Sequence, residues 1–140
     1  MKIAVVYWSG TGNTEVMANA VLEGVNAAGA DGALLTAADF SADRMSEYDA
    51  IAFGCPSMGV ESLEESEFEP MFQACEPFLS GKKIALFGSY GWGDGEWMRN
   101  WEDACRADGA ELACESVVCN DTPNDAALTA CKALGAALAN

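Results

Sequence analysis

Histidine is absent from this 140-residue chain. Without imidazole, the usual zinc sites and a Cys–His nucleophile both lose their normal partner. Six cysteines are present, at positions 55, 75, 105, 114, 119 and 131, and no two have CxxC spacing. They fall within good helix and strand patterns and read as small buried hydrophobes kept reduced inside a cell, not as a disulfide framework or a metal set. Positive charge is scarce, with seven Lys and Arg against 22 Asp and Glu, a net charge of −15. Such a surface repels nucleic acid and anionic membranes within a Debye length, about 10 Å at 0.1 M salt, and favours partners with a basic face. No apolar run approaches the roughly 20 residues needed to cross a bilayer. The opening MKIAVVYW is too short for a secretory signal and has no small-residue cleavage site. A cytoplasmic protein is expected. No linker, repeat or low-complexity segment marks a boundary, so residues 1–140 read as one domain.

What is present is a regular alternation. With 51% hydrophobic and 21% charged residues the composition is globular. Strand-like apolar runs at Ile3–Tyr7, Ala33–Thr36, Ala50–Gly54, Ile84–Gly88 and Leu112–Val118 alternate with helical patterns, which predicts an α/β fold with a five-stranded parallel sheet. The helical stripes are Val16, Met17, Ala20, Val21 and Val25, ended by Gly29; Phe68, Met71, Phe72, Cys75 and Leu79; Trp97, Trp101, Ala104 and Cys105; and Leu128, Cys131, Leu134 and Leu138. Pro70 suits a first turn, Pro77 ends or kinks its helix, and residues 38–48 allow only a short helix. Right-handed crossovers in a chain of this size suit the strand order 2-1-3-4-5, helices on both faces. Ligands in such sheets bind beyond the carboxyl ends of the strands.

Three loops lie at that edge. Ser9, Gly10, Thr11, Gly12, Asn13 and Thr14 join the first strand to the first helix, where unpaired backbone N–H groups and the helix dipole favour an anion. No lysine follows, as a Walker loop requires, and Glu15 stands where a dinucleotide GxGxxG needs its third glycine. Neutral donors of this kind fit one terminal monoester phosphate; the alternative is a plain helix-capping loop. The second loop carries Pro56, Ser57, Met58, Gly59, Val60 and Glu61, and the third Ser89, Tyr90, Gly91, Trp92 and Gly93. Each sets a large polarizable side chain, Met58 or Trp92, among small residues that cannot bury it. A flat ring between the two would be clamped on both faces, with Glu61 accepting from an imide N–H. Phosphate at one end and ring at the other describe FMN. An exposed docking patch is the alternative for Met58 and Trp92.

With these residues on the page, WSGTGNTE at 8–15, the MGxE loop at 58–61, LEESEFEP at 63–70 and GKKIALFGSYGWGDGEWM at 81–98 resemble the short-chain flavodoxins of anaerobic bacteria over essentially the whole chain. The resemblance implies the flavodoxin-like three-layer sandwich and a low-potential one-electron carrier that cycles FMN between semiquinone and hydroquinone. It implies that Ser9 to Thr14 bind the phosphate, Met58 faces the inner side of the isoalloxazine, Trp92 covers the outer side and Glu61 bonds flavin N3–H. Gly59 would be the glycine whose peptide turns over on reduction to meet N5–H, and Asn120 matches a position near the ring. Val60 and the run Cys55-Pro56-Ser57 depart from the usual loop, and Pro56 stiffens it.

The acidic residues Glu61, Glu64, Glu65, Glu67, Glu69, Asp94 and Glu96 surround the expected ring. One charge about 10 Å away costs an anionic flavin roughly 0.4 kcal/mol at a dielectric near 80, about 20 mV for one electron. The same acids form a docking rim for basic redox partners, ferredoxin-type reductases and oxidoreductases, and a carrier with an exposed ring edge is expected to be a monomer and no enzyme. Two other readings compete. An FMN-dependent quinone reductase of the same fold needs open space above the ring, where Trp92 stands. A flavin-free binding domain of this topology would show clustered acids at Tyr7-Trp8-Ser9, as receivers do, or CxxxxxR, where Cys55 is followed by Glu61.

Overall fold

The computed structural model describes residues 1–58, 62–91 and 93–140. Among them, six strands and four α-helices alternate in the order β1 (Lys2–Tyr7), α1 (Asn13–Ala27), β2 (Asp31–Thr36), β3 (Ala50–Gly54), α2 (Phe68–Cys75), β4 (Lys83–Tyr90), α3 (Glu96–Ala107), β5 (Glu111–Leu112), β6 (Val117–Asn120) and α4 (Asp125–Leu138). Two 3-10 segments, Ala37–Asp39 and Ala42–Glu47, fill the stretch where only a short helix was expected, and a third, Glu76–Phe78, holds Pro77 at the end of α2.

All pairings in the sheet are parallel, in the order β2-β1-β3-β4-β5, with β6 also beside β4. The run Leu112–Val118, expected as one strand, is broken. Lys83 and Ile84 pair with Glu111 and Leu112, whereas Phe87 resumes with Val117. Two residues of β4 thus face four of the edge chain, 113–116, which is a bulge. Ser116 Oγ donates to Glu102 Oε2 at 2.6 Å from within it.

Side-chain alternation along the inner strands builds two cores. Ala4 and Val6 of β1, Ile51 and Phe53 of β3, and Ile84 and Leu86 of β4 face α2 and α3. Ile3, Val5, Ala52, Ala85 and Phe87 face α1 and α4. Both faces are covered, so these strands are apolar throughout, each fully buried Val, Ile or Leu contributing about 1.5–3 kcal/mol. Aromatic edges tighten the first core: Phe53 meets Phe72 at 5.1 Å and 89°, and Phe68 meets Trp101 at 5.5 Å and 89°.

The stripes hold with local changes. Val16 is 46% exposed although its neighbours Met17 and Val21 are fully buried. Ala104 also faces outward, and Met98 takes a buried place on α3. Contact between α1 and α4 depends on two glycines: a Cβ on Gly24 would lie 2.0 Å from the Lys132 carbonyl oxygen, and one on Gly135 would lie 2.2 Å from that of Val21. Cys55, Cys75, Cys105 and Cys131 are buried, and desolvation pushes their thiols up to about 12, 11, 12 and 12. Cys114 and Cys119 are half-buried beside the edge strand.

No helix among the described residues is long and apolar enough to cross a membrane.

Candidate functional site

The carboxyl ends of β1, β3 and β4 bring the three loops together. A crevice of about 220 Å³ opens between them, lined by Gly10, Thr11 and Asn13 of the first loop, Pro56, Ser57 and Met58 of the second, and Ser89, Tyr90 and Gly91 of the third, with Trp8 and Asp121 at its borders. Nine residues singled out from sequence therefore meet at one place. Gly59, Val60, Glu61 and Trp92 lie outside the described residues.

The first loop is held from both ends. Trp8 N–H donates to the Gly54 carbonyl at 3.0 Å, and Ser9 Oγ accepts from Gly12 N–H at 3.1 Å. Gly12 is the residue before the first turn of α1 and has φ +98°, a conformation that suits only glycine without strain. As a glycine, Gly12 has no side chain with which to cap this turn. The contrast with α4 is instructive, because there Asn124 Oδ1 accepts from Ala127 N–H at 2.8 Å. Asn13 does not act as the cap, but Ser9 takes the Gly12 N–H and Thr11 Oγ1 accepts from Asn13 N–H at 3.5 Å, so hydroxyls of the loop partly cover the positive end of the α1 dipole. Thr14 is buried at 1% exposure with its hydroxyl 3.5 Å from that of Ser89, which links the first and third loops.

The second loop is closed by a small bridge. Met58 N–H donates to the Ser62 carbonyl at 2.8 Å, and Ser62 N–H returns the bond at 2.9 Å. Ser57 N–H donates to the Ser89 carbonyl at 3.0 Å, continuing the sheet register past β3 and β4. Beneath it, Trp97 Nε1 donates to the Cys55 carbonyl at 3.4 Å and packs on Tyr90 at 5.5 Å. These bonds fix Met58 at the crevice wall.

Trp8 and Asp121 escaped the sequence reading. The Trp8 ring lies against Gly10, where an added Cβ would be 3.0 Å from Cη2, and its Nε1 donates to Glu67 Oε1 at 3.0 Å. Asp121 adopts φ +56° and donates its N–H to the Tyr90 carbonyl at 2.8 Å. An Asn-Asp pair directly after an edge strand was the available signal, since Asp tolerates the left-handed region. Asn120 is exposed beside it, and Gly93, at φ +86°, stands off the crevice.

The acidic rim is thinner than its sequence suggests. Glu64 is only 5% exposed, and its carboxylate accepts from the N–H groups of Ser66, Glu67 and Phe68 at 2.8, 2.7 and 2.8 Å and from the Ser66 hydroxyl. Burial raises its pKa, but the donated hydrogen bonds outweigh burial and hold the carboxyl below its ordinary value. Asp94 forms an ion pair with Arg99 at 3.0 Å. Glu65 is exposed, and Asp121 is exposed at the crevice border. Tyr7 is pushed above the ordinary phenol range by burial and by the Glu15 carboxylate, to which its hydroxyl donates at 3.0 Å.

The crevice fits an FMN-sized amphiphile in its chemistry. Neutral hydroxyls at the start of α1 suit a phosphate monoester, while Met58, Tyr90 and Trp8 supply flat or polarizable walls. Comparison with known proteins identifies the family. A family model described as flavodoxin matches residues 5–135. The flavodoxin of Megasphaera elsdenii is 47% identical over 137 residues, covering 98% of this chain and 98% of the relative. That of Clostridium beijerinckii is 44% identical over 126 residues, 90% of each. The solution structure of the two-electron reduced Megasphaera elsdenii flavodoxin superposes with a TM-score of 0.90, covering 98% of both chains at 47% identity.

Proposed function

Because this chain belongs to the flavodoxin family, and so is an FMN-binding electron carrier serving partner oxidoreductases and not an enzyme, we propose that the crevice at the carboxyl edge of its sheet is the flavin site. The observation that supports this most is the meeting of the hydroxyl- and amide-bearing loop at the start of α1 with the Met58 and Tyr90 walls in one crevice. Bound FMN supplies reversible one-electron chemistry. The protein's own residues do the rest.

Ser9, Gly10, Thr11, Gly12, Asn13 and Thr14 hold the phosphate through hydroxyls, the Asn13 amide and backbone N–H groups, with Ser89 supporting Thr14 from below. Pro56, Ser57 and Met58, with Gly59 and Val60, would form one wall of the ring site; Tyr90 and Gly91, with Trp92, would form the other and exclude water, and Gly93 would follow at its margin. Glu61 accepts from the ring imide, and Asn120 borders the outer edge. Gly59 offers the ring a backbone group that can turn with little steric cost. With no basic side chain among the described residues that line the crevice, the site disfavours added negative charge on the flavin, which keeps the potential low.

The partners are basic-faced reductases and oxidoreductases of the ferredoxin type, met by a cytoplasmic monomer through the exposed acids, and nucleic acid is not among them. Electron transfer from a ferredoxin-type reductase to the FMN-loaded protein tests this. Its second-order rate should fall about tenfold between roughly 0.01 and 0.3 M salt. A rate that ignores salt overturns the basic-partner reading.

A further inference from the structure

A wide groove lies away from the flavin site. It encloses about 700 Å³ between the edge strand and α4. One wall is made by seven consecutive residues, 114 to 120. The last four, Val117–Asn120, are β6; side chains alternate between faces along a strand, so four consecutive strand residues line one groove only if the edge of the strand, with its backbone groups, forms that part of the wall. Among the described residues no strand lies on the outer side of β6. Val118 in the middle of that wall is 41% exposed. The floor is the small-residue face of α4, with Ala126, Ala130 and Ala133, which leaves room for side chains of an incoming segment.

Charge decides what can enter. Glu115 lines the groove, and Glu111, Asp121 and Asp125 stand exposed near it, whereas no Lys or Arg lines it. Lys132, on the same helix, is paired with Glu23 of α1 at 3.5 Å. A second copy of this chain would bring another charge of −15 and is repelled. The upper end of the groove, at Asn120 and Thr122, flanks Asp121, which borders the flavin crevice.

We propose that this groove takes up an extended, lysine- or arginine-bearing segment of a redox partner, added as a strand to β6 with alternate side chains on the alanine face of α4. The inference rests on the reading of this chain as a carrier that docks basic partners, and it adds a second anchoring surface beside the ring edge. Backbone hydrogen bonds supply affinity, and the flanking carboxylates select basic side chains. The 113–116 bulge keeps the lower edge from indiscriminate pairing.

The test is a two-dimensional amide NMR titration of the FMN-loaded protein with an acetylated hexapeptide of alternating lysine and valine. The expected result is saturable shifts confined to residues 114–134, weakened at least tenfold when alternate peptide nitrogens are methylated. Val118→Lys, an exposed edge substitution, should also weaken binding at least tenfold and leave the visible FMN spectrum unchanged. Shifts centred on residues 62–70 or on α1, equal binding of the methylated peptide, no saturation at millimolar peptide, or dimerisation through β6 would each overturn the proposal. Failure of the flavin reading is separately visible, because a protein that takes up no FMN remains colourless whether or not the peptide binds.

Discussion

Glu64 Oε1 accepts the backbone N–H of Phe68 at 2.8 Å and so caps α2 from four residues upstream. It also accepts from Glu67 N–H at 2.7 Å, while Oε2 takes Ser66 N–H at 2.8 Å. One buried carboxylate thus takes the first N–H of α2 and the two before it, while the Glu64 carbonyl accepts from Glu69 N–H at 2.8 Å. Glu64→Ala should lower the free energy of unfolding by about 3 kcal/mol at pH 7, with Glu64→Gln between it and the parent. Because the folded pKa is depressed, this stabilisation is present above the ordinary value of 4.5 and is lost as pH falls through the lower, folded one. Urea unfolding near neutrality and in acid measures the difference; an equal gap between parent and Glu64→Ala at both would contradict it.

Glu76 behaves in the opposite sense. Burial first, then a hydrogen bond and repulsion from Asp108, with Glu69 adding to it, raise its carboxyl from 4.5 to about 7. Asp108 Oδ2 is buried with no hydrogen-bond partner among the described residues, so a proton on Glu76 relieves the repulsion beside it. A raised folded pKa means that the favourable contribution is complete below pH 4.5 and disappears as pH rises through about 7. Glu76→Gln keeps a donor at every pH, so its melting temperature relative to the parent should increase from pH 5 to pH 8. A constant offset across that range would show that no proton is shared.

Gly24 and Gly135 set the separation of α1 and α4. An alanine inside a helix ordinarily gains about 1 kcal/mol over glycine. At Gly24 the new Cβ would lie 2.0 Å from the Lys132 carbonyl oxygen, so the helices must part. Gly24→Ala should cost about 1–3 kcal/mol despite its better propensity, as read from denaturant midpoints. A stabilised variant would mean that the two helices do not touch there.

Much of this architecture was legible because β1, β3 and β4 are buried on both faces, which writes continuous apolar runs. The edge strand was not. Leu112 to Val118 reads as one run interrupted by Glu115 and Ser116, and the pairing with β4 shows that residues 113–116 bulge out. Gly24 and Gly135 carry no periodic signal, since a close approach depends on the facing helix. Glu64 was hidden in a run of acids that reads as solvated, and its role appears only when the chain folds its carboxylate onto Phe68 N–H. The loops of the site were legible from their place after β1, β3 and β4, whereas Trp8 and Asp121 join through tertiary contacts.

Trp92 is assigned to the outer wall of the ring by its resemblance to the family loop. Aromatic stacking on a planar base contributes about 1–3 kcal/mol, so Trp92→Ala should weaken FMN binding by roughly 5- to 150-fold. Flavin fluorescence during titration of the apoprotein measures this. Unchanged affinity would remove Trp92 from the site.

The direct measurement is a paired fluorescence titration of the apoprotein with FMN and with riboflavin, which lacks the phosphate. A cradle of neutral donors at the start of α1 predicts that FMN saturates at one equivalent with its emission quenched, that riboflavin binds at least about 100-fold more weakly, and that Ser9→Ala weakens FMN alone. Equal affinities for the two flavins, or no quenching by either, would contradict it.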